Sequence, residues 1–246
     1  RSLHSIAAVY LAKGDATSAL KTAKEGMKMA RSEADKLAEV HMAIQAVHAS
    51  CIIAGDAQEG SKLATSTLED ATKIARDAVA LAKKFGRGRM NAPALYWQGQ
   101  VMQLAGSPDT MATASSAASA FQREGDVLGE AHANVLLAMA NMSGGNRPKA
   151  TELLQLSMRT FMQKQSQEGL AMVQSLMMAM QPQGMMMPGM GGMMPMMPQG
   201  GGGFKIVRKG PEPIEVKNKI RQLVAEALSS DEVPLDTPLM DSGLDS

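Results

Sequence analysis

Aromatic side chains are scarce in this 246-residue sequence: one Trp, two Tyr and four Phe, 3% in all. The apolar share, 45%, is nonetheless ordinary for a globular protein, so Ala, Leu and Met must fill the core. These are strong helix formers, and composition alone leans to an α protein. Cysteine is nearly absent as well. A single Cys51 rules out an internal disulfide framework and fits a reducing compartment. Net charge is small, +1, which leaves no cation excess to neutralise nucleic-acid phosphates. No apolar run reaches membrane-spanning length and no signal peptide opens the chain, so neither a membrane partner nor secretion is expected. The first residue is Arg1, and both ends are expected to be cuts from something longer. The compartment expected is the cytoplasm or an organellar (plastid) stroma.

The small net charge hides a split. From Pro211 onward, Lys217, Lys219 and Arg221 face eight carboxylates, leaving −5 on residues 211–246 and hence +6 on residues 1–210. A small acidic module follows a mildly basic body.

The body reads as helix, turn, helix, repeatedly. In SIAAVYLAKGDATSALKTAKEGMKMAR (residues 5–31), Ile6, Val9 and Tyr10, then Leu20, Ala23, Met27 and Ala30, keep near-helical spacing on one side. Gly14 interrupts the pattern as a left-handed exit from one helix, and Asp15 can cap the next. The same punctuation returns at Gly55-Asp56, Gly106-Ser107 and Gly145-Asn146. Five positions after each glycine stands a small residue or Met (Ala19, Gly60, Met111, Ala150), which predicts close packing within each hairpin. FQREGDVLGEA (121–131) aligns without a gap on FMQKQSQEGLA (161–171), so Phe, Gly and Ala recur forty residues apart.

This pattern resembles tetratricopeptide repeats, in the longer-period form of kinesin light chains and related adaptors. The resemblance covers roughly Ser2 to Met180, about four hairpins and a final helix. It lacks most of the family's large aromatic positions and its closing proline, and the second hairpin is longer than the others. The resemblance implies a helical-hairpin repeat solenoid over residues 1–180 that holds a protein or peptide partner.

Three groups of residues invite a chemical reading and are better read as structure. His41, His48 and Cys51 fall at i, i+7 and i+10, near one helix face, yet no fourth ligand stands at metal-site spacing; ordinary packing is expected and no metal. FGRGRMN (85–91) has the glycines of a phosphate loop but neither a preceding strand nor a GK[ST] ending, so an inter-repeat turn with solvated Arg87 and Arg89 is expected. QPQGMMMPGMGGMMPMMPQGGGG (181–203) is low-complexity. Its thioethers could take Cu(I), but Pro and Gly throughout make a flexible tether, over residues 181–210, the preferred reading.

After the tether, Pro213 suits the first turn of a helix. Val216, Ile220, Leu223, Val224, Ala227 and Leu228 then make one apolar stripe of about four turns. An acidic, proline-marked loop follows, with Leu235, Leu239 and Leu244 as inward anchors. Gly243 permits a tight turn, and Ser246 stands where it could cap a new helix, its hydroxyl beside N–H groups that favour a phosphodiester. No base or oxyanion hole accompanies Ser246, so another enzyme would have to modify it, and no catalytic residue is identified in the chain.

The helix, the loop and PLDTPLMDSGLDS resemble the first half of an acyl carrier domain of the polyketide and fatty acid synthase type. The resemblance covers about Pro213 to Ser246 and implies a four-helix carrier domain, here only its first helix and loop (211–246). In that family the serine of the GxDS motif carries 4′-phosphopantetheine. The motif is Gly243, Leu244, Asp245 and Ser246 here, which implies Ser246 as the attachment residue and a phosphopantetheinyl transferase, a ketosynthase and an acyltransferase as partners. The helix that the transferase reads after the serine is absent. Residues beyond Gly203 are therefore expected to pack poorly, or to lay the Leu223/Leu228 stripe on the repeats. The whole reads as an all-α, non-catalytic segment of a polyketide synthase-type protein. The alternative is a tetratricopeptide-type adaptor without carrier activity.

Overall fold

The computed structural model describes residues 2–58, 60–85 and 89–180. The tether, the amphipathic stripe after Pro213 and the Gly243-Leu244-Asp245-Ser246 motif lie outside the described residues, as does Arg87. The described residues form nine α-helices and no strand: α1 (Ser2–Ala12), α2 (Ala16–Ser32), α3 (Lys36–Asp56), α4 (Lys62–Phe85), α5 (Asn91–Leu104), α6 (Thr110–Glu124), α7 (Val127–Ser143), α8 (Arg147–Gln163) and α9 (Gln167–Met180). The protein is all-α over these residues. The second pair is the long one, with 21 residues in α3 and 24 in α4.

Six of the joints are built alike. A residue with positive φ ends one helix, and the next residue sends its N–H back five positions to close the helix end. The left-handed residues are Gly14 (φ 78°), Ala34 (57°), Gly106 (64°), Gly125 (71°), Gly145 (79°) and Gln165 (55°). The returning bonds are Asp15 to Tyr10, Asp35 to Ala30, Ser107 to Met102, Asp126 to Phe121, Asn146 to Asn141 and Ser166 to Phe161, all 2.8–3.0 Å. The same residue then caps the following helix in five of the six. Asp15 accepts from Ser18 N–H, Asp35 from Ala38, Asp126 from Gly129, Asn146 from Lys149 and Ser166 from Gly169. Turn and cap are thus one two-residue device, which explains why the connections are so short.

The joint expected at Gly55-Asp56 is not of this kind. Helix α3 runs through both residues, the positive φ sits at Gly60 (72°), and Ser61 caps α4 through Ala64 N–H at 3.2 Å. Ala57 leaves the helix in an extended conformation, so the reversal waits for the next glycine. Of the four residues five places after a glycine, Ala19 and Ala150 are fully buried, Met111 is exposed and Gly60 lies in the turn.

Each helix packs on the next, and the first helices of successive hairpins also touch: α1 on α3, α3 on α5, α5 on α7. The second helices are one-sided. Helix α4 buries Ala64, Ala71, Ala75, Ala78, Val79 and Ala82, while its other face carries Lys and Asp. Helix α3, flanked by α1, α2, α4 and α5, is apolar nearly all round. It is long and apolar enough to cross a membrane by length and composition, contrary to the expectation of no such run. More than half of that stretch is buried inside the protein, as a core helix requires. Alanine dominates the contacts because helices that approach closely leave room for a methyl and little more. For this reason α1 turns Ala7 inward, while Ile6 and Val9, which share a side by spacing, stay exposed.

The forty-residue match has a packing counterpart. Phe121 at the end of α6 lies over Gly129 of α7, and Phe161 at the end of α8 lies over Gly169 of α9; a β-carbon at either glycine would meet the ring. Ser157 donates to the carbonyl of Ala131 at 3.0 Å in a fully buried link from α8 to α7.

Candidate functional site: a histidine and aromatic seam on the first helices

All four histidines fall on first helices: His4 on α1, His41 and His48 on α3, His132 on α7. The lone Trp and one of the two Tyr sit together on α5. Because first helices pack side by side, these rings meet across the hairpins. His4 and His41 lie edge to face with centroids 5.4 Å apart. His48 stacks on Trp97 at 4.1 Å. Tyr96 stands edge-on to Trp97 at 5.3 Å and reaches His132 at 6.5 Å, and His132 in turn lies 4.8 Å from Phe161. The histidines, Tyr96 and Trp97 are half-buried, so one edge of the seam faces outward.

The electrostatics of the seam favour neutral forms. Burial pulls His41 below the ordinary histidine value, the nearby His4 pulls it further, and Asp35 acts against both. Burial also lowers His132, with Glu168 and Asp126 opposing. Burial pushes the Tyr96 hydroxyl up to about 12, although the bond that it accepts from Gln100 Nε2 at 2.7 Å works the other way. Cys51 keeps some exposed surface, yet its surroundings desolvate the thiol and push it up to about 12. A thiol so raised is a poor nucleophile. Among the described residues, His4 Nδ1 on α1 and Gln45 Oε1 on α3 are buried without a hydrogen-bond partner.

His41, His48 and Cys51 share the outward side of α3, but His41 turns to His4 and His48 to Trp97. Among the described residues, no group of three or more His, Cys, Asp or Glu is gathered as a metal would need. Arg89 is exposed in the turn before α5. The seam as a unit, with Trp97, Tyr96 and His132 in it, is not among the residues singled out from sequence. The one signal available was that the histidines, the Trp and the Tyr side chains, rare in this chain, fall on alternate helices.

The arrangement can hold a partner by stacking, by apolar contact and by neutral hydrogen bonds. It offers no activated nucleophile. No family model matches the chain, and no curated protein matches it.

Proposed function

We propose that this chain is a non-catalytic carrier segment: a tetratricopeptide-like repeat platform over residues 1–180, tethered to the start of an acyl carrier domain. In this reading Ser246, in the motif Gly243-Leu244-Asp245-Ser246, takes 4′-phosphopantetheine, whose thiol carries acyl groups as thioesters between synthase active sites. The platform docks a protein or peptide partner along the first helices. The observation that supports the docking half is the side-by-side packing of α1, α3, α5 and α7, which brings rings from four hairpins into one partly exposed seam. The carrier half rests on the sequence from Pro213 to Ser246. Tethering raises the effective concentration of an attached module for partners held on the platform.

A second reading, an adaptor with no carrier activity, draws on the same seam and dispenses with Ser246. Intact mass separates the two. The chain, as given and with its coding sequence carried past Ser246, is incubated with a phosphopantetheinyl transferase and coenzyme A beside a Ser246→Ala variant. A gain of one phosphopantetheine arm, absent in the variant, supports the carrier reading. No gain on a folded extended protein sinks it and leaves the adaptor.

A further inference from the structure

Methionine is spread unevenly over the helices. Residues 1–126 hold six, and the shorter stretch 127–180 holds eight. Six of those eight, Met139, Met142, Met158, Met172, Met177 and Met180, are partly buried against one core, built around Val135, Leu154, Phe161 and Val173. Each keeps part of its surface in solvent. The core methionines of α2 and α3 differ: Met27 is 7% exposed and Met42 4%. Helix α9 leans on this cluster most. It packs chiefly on α8, and its fully buried residues are Gly169 and Val173. The rest of its grip on the core comes from Leu170, Met172, Leu176, Met177 and Met180, so three of five contacts are thioethers. An inner first helix is held differently: α5 lies between α3, α4, α6 and α7 and buries five residues.

A thioether is the one group in this core that a mild oxidant turns from apolar to polar. We propose that the methionine cluster of α7, α8 and α9 is a peroxide-sensitive latch: oxidation of its thioethers releases α9 from the repeat body, and reduction of the sulfoxides restores it. The sulfur lone pair attacks one oxygen of hydrogen peroxide. An S–O bond forms, the O–O bond breaks, and sulfur gives up two electrons. The proton on the transferred oxygen passes to the departing hydroxide, which leaves as water. A sulfoxide oxygen is a strong acceptor, and holding it against Val173 and Leu154 strips it of water without supplying a donor. The exposed Met29, Met111, Met162 and Met178 have little packing to lose on oxidation, and Met27 and Met42 are shielded by burial. The response is therefore local to the helix with the weakest hold. The inference goes beyond the carrier and adaptor readings and depends on neither.

The test treats the full chain with hydrogen peroxide and follows it by peptide mass mapping and amide hydrogen exchange. The expected result is sulfoxide at the cluster methionines, exchange about tenfold faster across Gln167–Met180, and unchanged exchange in α2 and α3. Methionine sulfoxide reductases for both epimers, with a thiol reductant, should bring the original protection back. A variant with all six cluster methionines changed to Leu, a volume-conserving exchange, should lose the response. The double variant Met162→Leu, Met178→Leu, at exposed positions, should keep it. Thermal melts before oxidation confirm that each variant folds. Should the six-fold variant not fold, the α9 triple variant Met172→Leu, Met177→Leu, Met180→Leu takes its place and should lose most of the response. Cluster methionines that stay reduced while Met178 is converted overturn the proposal, as does unchanged exchange in α9 once the cluster is oxidised. Loosening of all helices together, loosening that survives the Leu substitutions, or loosening that the reductases do not reverse overturns it equally.

Discussion

The ring of Phe161 fills the space that a β-carbon on Gly169 would need, and the helix-end contact it makes joins α8 to α9. Phe161 is fully buried, and its neighbour Ser166 sends an N–H back to the Phe161 carbonyl at 2.9 Å, so ring and turn are fixed together. Gly169→Ala should therefore overpack the joint and cost roughly 1–3 kcal/mol. Gly129→Ala, against Phe121, should do the same at the α6–α7 joint. Urea unfolding of the two single variants checks both. Near-neutral results would mean that the rings move aside and that the contact does not set the joint.

Two joints run against residue preference. Ala34 and Gln165 take left-handed backbone that a glycine holds at Gly14, Gly125 and Gly145. A non-glycine residue there carries a steric penalty. Ala34→Gly and Gln165→Gly should each stabilise the protein by about 1 kcal/mol, net of the extra freedom glycine gives the unfolded chain. A rise in thermal midpoint is the expected readout, and a fall in both would show that the Cβ contacts there outweigh the backbone strain.

These joints also mark how far the sequence could be read. At Gly14-Asp15 and Gly145-Asn146 the two residues that make the turn and the cap are adjacent in the chain, so their chemistry is visible without the fold. At Ala34-Asp35 and Gln165-Ser166 the left-handed residue is not glycine, and only the tertiary arrangement puts it there. Spacing alone does not tell which face of α1 turns inward, for a similar reason: Ile6 and Val9 share a side, but the close approach of helices selects Ala7. The seam was beyond local reading altogether. His4 meets His41 and His48 meets Trp97 only because first helices stack on one another, and no spacing within one helix encodes that.

Glu39 is the buried charge of the N-terminal hairpins, 4% exposed on α3. It accepts from Arg31 Nε at 2.5 Å and Lys36 Nζ at 3.0 Å. Burial alone would raise its carboxyl, and the two cations outweigh that and hold it below the ordinary value. Both cations stay partly in water, so the pair is worth less than a fully buried one. Glu39→Gln should cost about 1.5 kcal/mol, the lower end for a hydrogen bond to a charged group. Chemical denaturation at neutral pH measures it, and an unchanged midpoint would place the network with the ordinary surface pairs.

Cys51 should resist alkylation while the protein is folded. With the thiol pushed up to about 12, the thiolate fraction at mildly alkaline pH is very small. Iodoacetamide should label Cys51 slowly in buffer and at the rate of a free thiol in denaturant. Fast native labelling would show that the surroundings of α3 near Trp97 open to solvent.

Acid should weaken the fold first through the seam. His41 and His132 both sit below the ordinary histidine value of 6.5, burial being the first cause in each. A lowered histidine means that, as pH falls, the unfolded chain takes up the proton before the folded one. Stability is thus full above about 6.5 and drains as pH drops through that value toward the lowered folded ones. His4 adds to the effect at His41, where a proton on either ring repels one on the other, while Asp35 offsets part of it; Glu168 and Asp126 offset part of it at His132. Glu39 and Asp15 belong to a separate, more acidic window, since both carboxyls are held low and lose their contribution only when protonated. Urea midpoints taken between about pH 5 and 7.5 should therefore decline on the acid side, and the decline should flatten in the His41→Gln, His132→Gln double variant. If the double variant keeps the full slope, the titrating groups lie elsewhere and the seam histidines do not couple protonation to packing.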